Sequence, residues 1–164
     1  MELKKLLTET EVKELNKFGQ FELTASHTYM HLSNRMKSLG YFGAEAFFSG
    51  ESDDEREHYR KLEEFMNNMN AELEVMALDP IKTNITDIQG ALELAYEMEE
   101  VLLEEYERVY ASDVSSKVKT FLQEFINFQV KAVGEYGDLI NRLKLTNDML
   151  VFDADLLERS ENEG

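Results

Sequence analysis

Four segments of this chain combine a helical spacing of apolar residues with one polar residue inside the apolar stripe. In the first segment, Glu22 lies seven residues after Leu15 and seven before Tyr29. Residues that are seven apart differ by only about 20° around an α-helix, so all three share one face. A glutamate therefore lies where a buried apolar residue is expected.

The other three segments are interrupted in the same way. Glu55 lies in the second stripe, Glu99 in the third and Gln129 in the fourth, each seven residues from an apolar or aromatic residue on either side. His58 follows Glu55 by one helical turn, on a neighbouring edge of the same face. The pattern brings three carboxylates, one carboxamide and one imidazole to the inward faces of four helices.

Buried carboxylates of this kind need a positive partner. Each uncompensated buried charge costs several kcal/mol, so three would consume much of the roughly 5–15 kcal/mol by which a domain is stable. Two divalent cations would bring the charge close to neutral, and oxygen ligands with one nitrogen suit iron. A single glutamate in a stripe often extends to solvent, but the coincidence in four helices favours a di-iron carboxylate site. The nearby basic residues fall on other helix faces: Arg56, Arg60, Lys61 and Lys131.

The apolar spacing also predicts the elements that must hold these residues. Strong helix formers and a single proline, Pro80, indicate an all-α chain. Short, long and short connections between the first four helices predict an antiparallel four-helix bundle with a long crossover between helices 2 and 3, followed by a short fifth helix. We expect a single domain over 1–164, with helices over about 8–38, 44–70, 87–112, 115–145 and 147–160.

The amino-acid composition excludes several classes of binding partner. The formal net charge of -17 argues against nucleic acid, because its binding depends on basic residues. The chain has no cysteine, which excludes disulfides, thiolate metal sites and iron–sulfur clusters. No tract approaches the roughly 20 apolar residues of a membrane span. We therefore expect a cytoplasmic protein with cations, rather than a membrane or nucleic acid, as its partners.

Short motifs at these positions resemble those of ferritins, and the resemblance covers nearly the whole chain. Residues 54–58 (DEREH) are similar to the second-helix motif of that family, and residues 91–99 (ALELAYEME) to its third-helix motif. Residues 129–132 (QVKA) are similar to the fourth, and Tyr29 lies where ferritins place a tyrosine. The resemblance implies the ferritin fold, which agrees with the bundle predicted above.

The resemblance also implies a role for each polar residue of the stripes. Glu22, Glu55 and His58 would hold the first iron. Glu55 would bridge to the second iron, which Glu99 would hold with Gln129 close by. These residues would form a non-haem centre with two irons per subunit.

The activity that the resemblance implies is that of a ferroxidase. Ferritins oxidise Fe(II) with dioxygen or peroxide, and they store the ferric mineral in a hollow homo-oligomer of twenty-four subunits. Tyr29 would form a hydrogen bond beside the centre and donate an electron. The chain is thus expected to serve iron storage and detoxification.

Two departures from family patterns refine this expectation. Many prokaryotic ferritins carry glutamates for a third iron around the fourth-helix glutamine, whereas Phe128, Lys131 and Ala132 occur here. The expected centre therefore resembles the animal heavy-chain pattern more closely. The protein as a whole is expected to be of prokaryotic or viral type. Bacterioferritins carry a haem-binding methionine after the bridging glutamate, and Arg56 occupies that position here. No haem is expected.

Two other functions remain open from the sequence. A di-iron oxidoreductase of the rubrerythrin or oxygenase kind would turn over substrate without storing iron, but such enzymes usually carry Glu-x-x-His on two helices. Only one such motif occurs at an inward position, because His27 and His31 are predicted to face away from Glu22. A catalytically silent shell subunit is the second alternative, although such subunits lack site ligands.

Other polar and aromatic residues receive weaker interpretations. One acidic run would either guide iron or form a solvated face: Glu51, Asp53, Asp54 and Glu57. Four tyrosines at helical spacing are predicted to fill the core without a chemical role: Tyr96, Tyr106, Tyr110 and Tyr136.

Overall fold

The computed structural model describes residues 1–163, and no strand occurs among them. The predicted all-α class is confirmed. The five helices are α1 (Glu9–Leu39), α2 (Phe42–Asn68), α3 (Ile88–Tyr110), α4 (Ser116–Leu143) and α5 (Met149–Glu163). Each of their ends lies within three residues of the position expected from the sequence. Gly164, the last residue of the expected domain, lies outside the described residues.

Side-chain caps determine where three of the helices begin. Thr8 and Glu11 form a reciprocal cap at α1: Thr8 Oγ1 accepts from the Glu11 amide at 3.1 Å, and Glu11 Oε1 accepts from the Thr8 amide at 2.9 Å. Asp87 caps α3 by accepting from the Gly90 amide at 2.8 Å. Ser115 caps α4 in the same way. These caps satisfy amides that have no partner within the helix, so the local sequence sets each start.

Two apolar clusters fill opposite ends of the bundle, and their members show how the helices run. The lower cluster draws on the first half of α1, the second halves of α2 and α3, and the first half of α4: Leu15, Leu62, Tyr106 and Leu122 are examples. The upper cluster draws on the opposite halves, as in Leu32, Phe48, Leu92 and Leu139. Thus α1 runs antiparallel to α2, and α3 runs antiparallel to α4. The predicted antiparallel bundle is confirmed.

Residues 69–87 form the long crossover between α2 and α3. It runs along α1 from one end of the bundle to the other. Near its start, the Glu74 amide donates to Asn16 Oδ1 at 2.6 Å, and near its end Arg35 Nε donates to the Ile85 carbonyl at 2.7 Å. The crossover places the two helical hairpins so that all four inward faces meet.

The short helix α5 packs against the N-terminus of α2, where Asp153 holds it. The Asp153 carboxylate accepts hydrogen bonds from the amides of Gly43 at 3.0 Å and Ala44 at 2.8 Å. Amides at a helix start have no internal partner and carry partial positive charge, so the carboxylate stabilises α2 while it anchors α5. The approach requires glycine, because a Cβ on residue 43 would lie 1.8 Å from the Asp153 carbonyl oxygen.

Candidate metal centre

A polar layer lies between the lower and upper clusters. One residue from each long helix enters it: Glu22, Glu55, Glu99 and Gln129, none more than 3% exposed. Each lies in a stripe whose apolar residues are buried above and below it. The structure therefore brings together the four polar residues that interrupt the stripes, as the sequence predicts.

Glu22 is fully buried in the polar layer. The hydroxyl of Tyr106 donates a hydrogen bond to Glu22 Oε1. The other oxygen, Oε2, is buried and has no hydrogen-bond partner among the described residues. A buried polar atom without a partner is rare and destabilising, so this oxygen indicates a ligand.

His58 closes the layer on the α2 side. Its Nδ1 lies 3.3 Å from Glu55 Oε2 and 3.5 Å from Glu22 Oε2. Its ring stacks on Phe128 of α4, with ring centroids 4.5 Å apart and planes inclined by 4°, which holds the imidazole in this orientation. One ligand atom from each of Glu22, Glu55 and His58 falls within 4.8 Å of the others. A single metal ion can be reached by all three.

Glu99 forms the other side of the layer. Tyr29 donates its hydroxyl hydrogen to Glu99 Oε1, and Gln129 Nε2 donates to Oε2 at 2.6 Å and to the Glu99 backbone carbonyl at 3.2 Å. Glu99 also contacts Glu55, the central carboxylate. In this arrangement Gln129 and Tyr29 orient Glu99 through hydrogen bonds. All six residues singled out in the sequence are therefore neighbours.

Burial and mutual repulsion shift the pKa values within the layer. Burial and the negative charge of Glu22 raise the pKa of Glu55 well above its usual range. Burial raises the pKa of Glu99, although the hydrogen bonds it accepts oppose this. Burial also opposes ionisation of Glu22, but the close approach of Glu55 and His58 lowers its pKa overall. Burial opposes protonation of His58, but Glu22 raises its pKa overall. Glu55, Glu99 and His58 thus hold their protons more tightly than they would in water, and a bound cation has to displace those protons.

No lysine or arginine supplies that cation. Among the described residues, His58 is the only basic side chain that pairs with Glu22 or Glu55. Glu99 is hydrogen-bonded to neutral groups. The basic residues expected on other faces are all exposed: Arg56, Arg60, Lys61 and Lys131.

Two of the tyrosines assigned to the core from the sequence belong to the surroundings of the site, so that interpretation was incomplete. Tyr106 donates to Glu22. Tyr136 stacks on Tyr29, with centroids 6.2 Å apart and planes inclined by 11°. The signal was available: Tyr106 follows Glu99 by seven residues, and Tyr136 follows Gln129 by seven. Each tyrosine therefore lies on the same helix face as a site residue, two turns further along the helix.

The two remaining histidines lie away from the layer. His27 is exposed. His31 is half-buried, and its Nε2 lies 2.7 Å from Thr83 Oγ1 of the crossover. His31 thus contacts the crossover that runs along α1, and neither histidine offers the centre a second imidazole.

The layer opens on one side into an acidic depression of about 760 Å³ between α2 and α4. Glu55 and His58 form part of its wall, so a cation can reach the site from it. The other charged residues of its lining are mostly acidic: Glu51, Asp54, Glu135 and Asp138, with Lys131 and Arg159.

Comparison with known proteins decides the family. Residues 12–146 match the family described as ferritin-like domain. This chain belongs to the ferritin family. The expectation drawn from the residue motifs is therefore confirmed at the level of the family.

Relatives of this ferritin occur in animals and bacteria. It is 30% identical to a ferritin of Pacifastacus leniusculus over 158 residues, covering 88% of this chain and 86% of that one. It is 21% identical to the bacterial non-heme ferritin of Campylobacter jejuni, covering 87% of each. An open-pore ferritin from Archaeoglobus fulgidus has the same fold, with a TM-score of 0.85 at 19% identity, covering 92% of this chain and 97% of that one.

Family and fold together support iron storage as the function of this ferritin. The buried cluster of Glu22, Glu55 and His58 can hold a metal ion. No helix among the described residues is both long and apolar enough to cross a membrane.

Proposed function

We propose that this ferritin oxidises Fe(II) at a di-iron centre in its polar layer and deposits the product as ferric mineral in a hollow homo-oligomeric shell, storing and detoxifying iron. Glu22, Glu55 and His58 hold the first iron. Glu55 bridges to the second, which Glu99 holds with Gln129 beside it. Dioxygen or peroxide accepts the electrons, and no haem takes part.

The observation that carries this proposal is the unpartnered oxygen of Glu22. Glu22 Oε2 is buried and lies 3.5 Å from His58 Nδ1 without a hydrogen bond to it. Its other neighbour is the Glu55 carboxylate, which repels it when ionised. A divalent cation satisfies both carboxylates at once, and it removes the cost of burying them.

The surrounding side chains suit two ions better than one. One ligand atom from each of Glu22, Glu55 and His58 lies within 4.8 Å of the other two, and these atoms form the first group of ligands. Glu99 lies beyond them, in contact with Glu55 and oriented by Gln129. A carboxylate between two such groups can bridge two metals, as in the carboxylate bundles of di-iron proteins. Two Fe(II) held together can deliver two electrons to one oxidant.

Hard oxygen ligands with one imidazole fit Fe(II), and they are less suited to softer ions such as Cu(I). The acidic depression concentrates cations at the entrance, where Asp54 and Glu51 adjoin Glu55. Hydrogen bonds from Tyr106 and Gln129 hold two of the carboxylates in place, which is the usual role of groups behind metal ligands.

The test is a titration of metal-free protein with Fe(II) in air, followed by size-exclusion chromatography. We expect rapid oxidation of the first two equivalents per subunit, and then ferric iron that co-elutes with a large protein particle. Glu55→Gln removes the bridging charge and should slow the rapid phase by about tenfold or more, since even outer partners of metal ligands are worth roughly 10–100-fold.

Glu57→Gln is the matched control, because Glu57 lies two residues further along α2 and is exposed. It should retain the rapid phase. Oxidation no faster than in buffer would refute the ferroxidase. Rapid oxidation with iron that precipitates outside a small oligomer would refute storage and favour a di-iron oxidoreductase.

A further inference from the structure

Tyr136 carries a buried hydroxyl that the proposed centre does not use. The residue is fully buried, and its hydroxyl has no hydrogen-bond partner among the described residues. Phenylalanine or leucine would fill such a space without burying a polar group, so a lone buried hydroxyl calls for a physical explanation.

The neighbours of Tyr136 are aromatic rings that lead to the metal layer. Tyr136 stacks on Tyr29 at 6.2 Å, and Tyr29 stacks on Phe48 at 6.0 Å. The ring of Phe47 meets Tyr136 edge-on at 6.0 Å. Tyr29 in turn donates its hydroxyl hydrogen to Glu99. A continuous path of contacts therefore joins Tyr136 to a carboxylate of the site.

The surroundings favour a neutral tyrosine at each step of this path. Burial raises the pKa of Tyr136 well above its usual range, and the charge of Glu51 adds to this. The Tyr29 hydroxyl is close enough to Tyr136 to oppose this increase in the pKa of Tyr136. No hydrogen bond of good geometry joins the Tyr29 and Tyr136 hydroxyls. Glu51 also lines the acidic depression, so Tyr136 lies near a residue of the entrance for cations.

We propose that Tyr136 is a second electron donor to the metal layer, acting through Tyr29. The proposal rests on the proposed oxidation of Fe(II) by dioxygen at the same centre. Tyr29 first transfers its hydroxyl proton to Glu99 and its electron to the oxidant. The resulting Tyr29 radical takes a hydrogen atom from Tyr136, so that the Tyr136 O–H bond breaks and the Tyr29 O–H bond re-forms. Tyr29 can then donate a second time.

The electrons of the whole step balance. Dioxygen needs four electrons and four protons to become two water molecules. Two Fe(II) ions supply two electrons, and the two tyrosines supply one electron and one proton each. Two further protons come from solvent. Without the tyrosines, two Fe(II) ions reduce dioxygen only to hydrogen peroxide. Each tyrosyl radical later returns to tyrosine by taking one electron from a further Fe(II) ion and one proton from solvent.

The structure provides a matched control in Tyr59. Its hydroxyl is also buried and unpartnered, but it belongs to the lower cluster. Removing the hydroxyl in Tyr136→Phe or Tyr59→Phe should leave folding and assembly intact, because neither hydroxyl makes a hydrogen bond that is lost. A difference between the two variants therefore reports on position rather than on the loss of a phenol.

The experiment is a single turnover with two Fe(II) per subunit in aerated buffer. Samples frozen at successive times are examined by electron paramagnetic resonance, using protein made with ring-deuterated tyrosine to identify tyrosyl radicals. Hydrogen peroxide and dioxygen consumption are measured in parallel. We expect Tyr136→Phe to lose the second radical and to release severalfold more peroxide per dioxygen consumed. Tyr59→Phe should match the unsubstituted protein.

The outcomes separate this inference from the proposed function. If the unsubstituted protein oxidises iron rapidly, but Tyr136→Phe gives the same radical signal and the same peroxide yield, electron donation by Tyr136 is wrong and the ferroxidase stands. If the unsubstituted protein forms no tyrosyl radical during rapid oxidation, electron donation by Tyr136 is also wrong. If the protein does not accelerate iron oxidation at all, both proposals fail.

Discussion

The hydroxyl of Tyr106 donates a hydrogen bond to Glu22 Oε1, while the other oxygen of the same carboxylate has no hydrogen-bond partner among the described residues. The tyrosine thus holds one side of Glu22 and leaves the other side for a cation. Such a bond to a charged group is worth about 1.5–3 kcal/mol. Tyr106 links the lower cluster to the metal layer, so its loss should affect both stability and metal binding.

Tyr106→Phe should lower the free energy of unfolding of the metal-free protein by about 1–3 kcal/mol, because a buried carboxylate oxygen loses its donor. The variant should also bind Co(II), a redox-stable probe for Fe(II), more weakly. Urea unfolding and calorimetry measure the two effects. Tyr59→Phe, which removes an unpartnered hydroxyl, should change neither, and an equal loss in both variants would contradict the role of Tyr106.

Glu55→Gln should stabilise the metal-free protein at neutral pH. The pKa of Glu55 is raised above its ordinary value of 4.5 by burial and by Glu22, so the folded state binds more protons than the unfolded state at any pH between the two values. Stability therefore falls as pH rises through this window. The amide does not ionise, so the variant should gain stability over the original protein as pH rises from 4.5 towards the raised pKa of Glu55 in the folded state.

Thermal unfolding of chelator-treated protein at several pH values measures this gain. Glu57 is exposed on the same helix, so Glu57→Gln should shift the unfolding temperature little and without this pH dependence. A constant difference between Glu55→Gln and the original protein at all pH values would show that Glu55 titrates normally.

Metal binding should release protons near neutral pH. The pKa values of Glu55, Glu99 and His58 are all raised in the metal-free layer, and metal ligands must be deprotonated. Affinity for Co(II) should therefore increase with pH until these groups have lost their protons. Calorimetry in two buffers of different ionisation enthalpy counts the released protons. Equal heats in both buffers would mean that the layer is already ionised.

Gly43→Ala should weaken the attachment of α5. The added Cβ would lie 1.8 Å from the Asp153 carbonyl oxygen, so the helix has to move away and its carboxylate loses the Gly43 and Ala44 amides. Loss of such a cap costs about 0.5–2 kcal/mol. Hydrogen exchange of the α5 amides and thermal unfolding measure the effect.

Gly50→Ala is the matched substitution in the same helix. Gly50 is exposed, and an added Cβ there meets nothing within 4 Å. It should stabilise α2 by up to about 1 kcal/mol through helix propensity. If Gly43→Ala were as stable as Gly50→Ala, with α5 amides equally protected, the close approach of the two helices would be wrong.

The sequence by itself determined which residues face inward. The seven-residue spacing around Glu22, Glu55 and Glu99 is a property of one helix at a time, so the stripes and their interruptions can be read without knowing how the helices pack. The caps at Thr8 and Asp87 are equally local, since each bonds to amides a few residues ahead. The all-α class and the polar residue on each inward face follow from such short-range geometry.

Only the tertiary structure decided which inward residues touch. The Tyr106 hydroxyl reaches Glu22 across 84 positions of sequence, and Tyr136 meets Tyr29 from a different helix. Such pairs depend on the axial offset and rotation of one helix against another, which packing of the whole core sets. Periodicity places each tyrosine on an inward face but gives no partner, so the sequence predicts only that both lie in the core. The anchoring of α5 by Asp153 has the same origin, because it joins two helix surfaces that no local pattern relates.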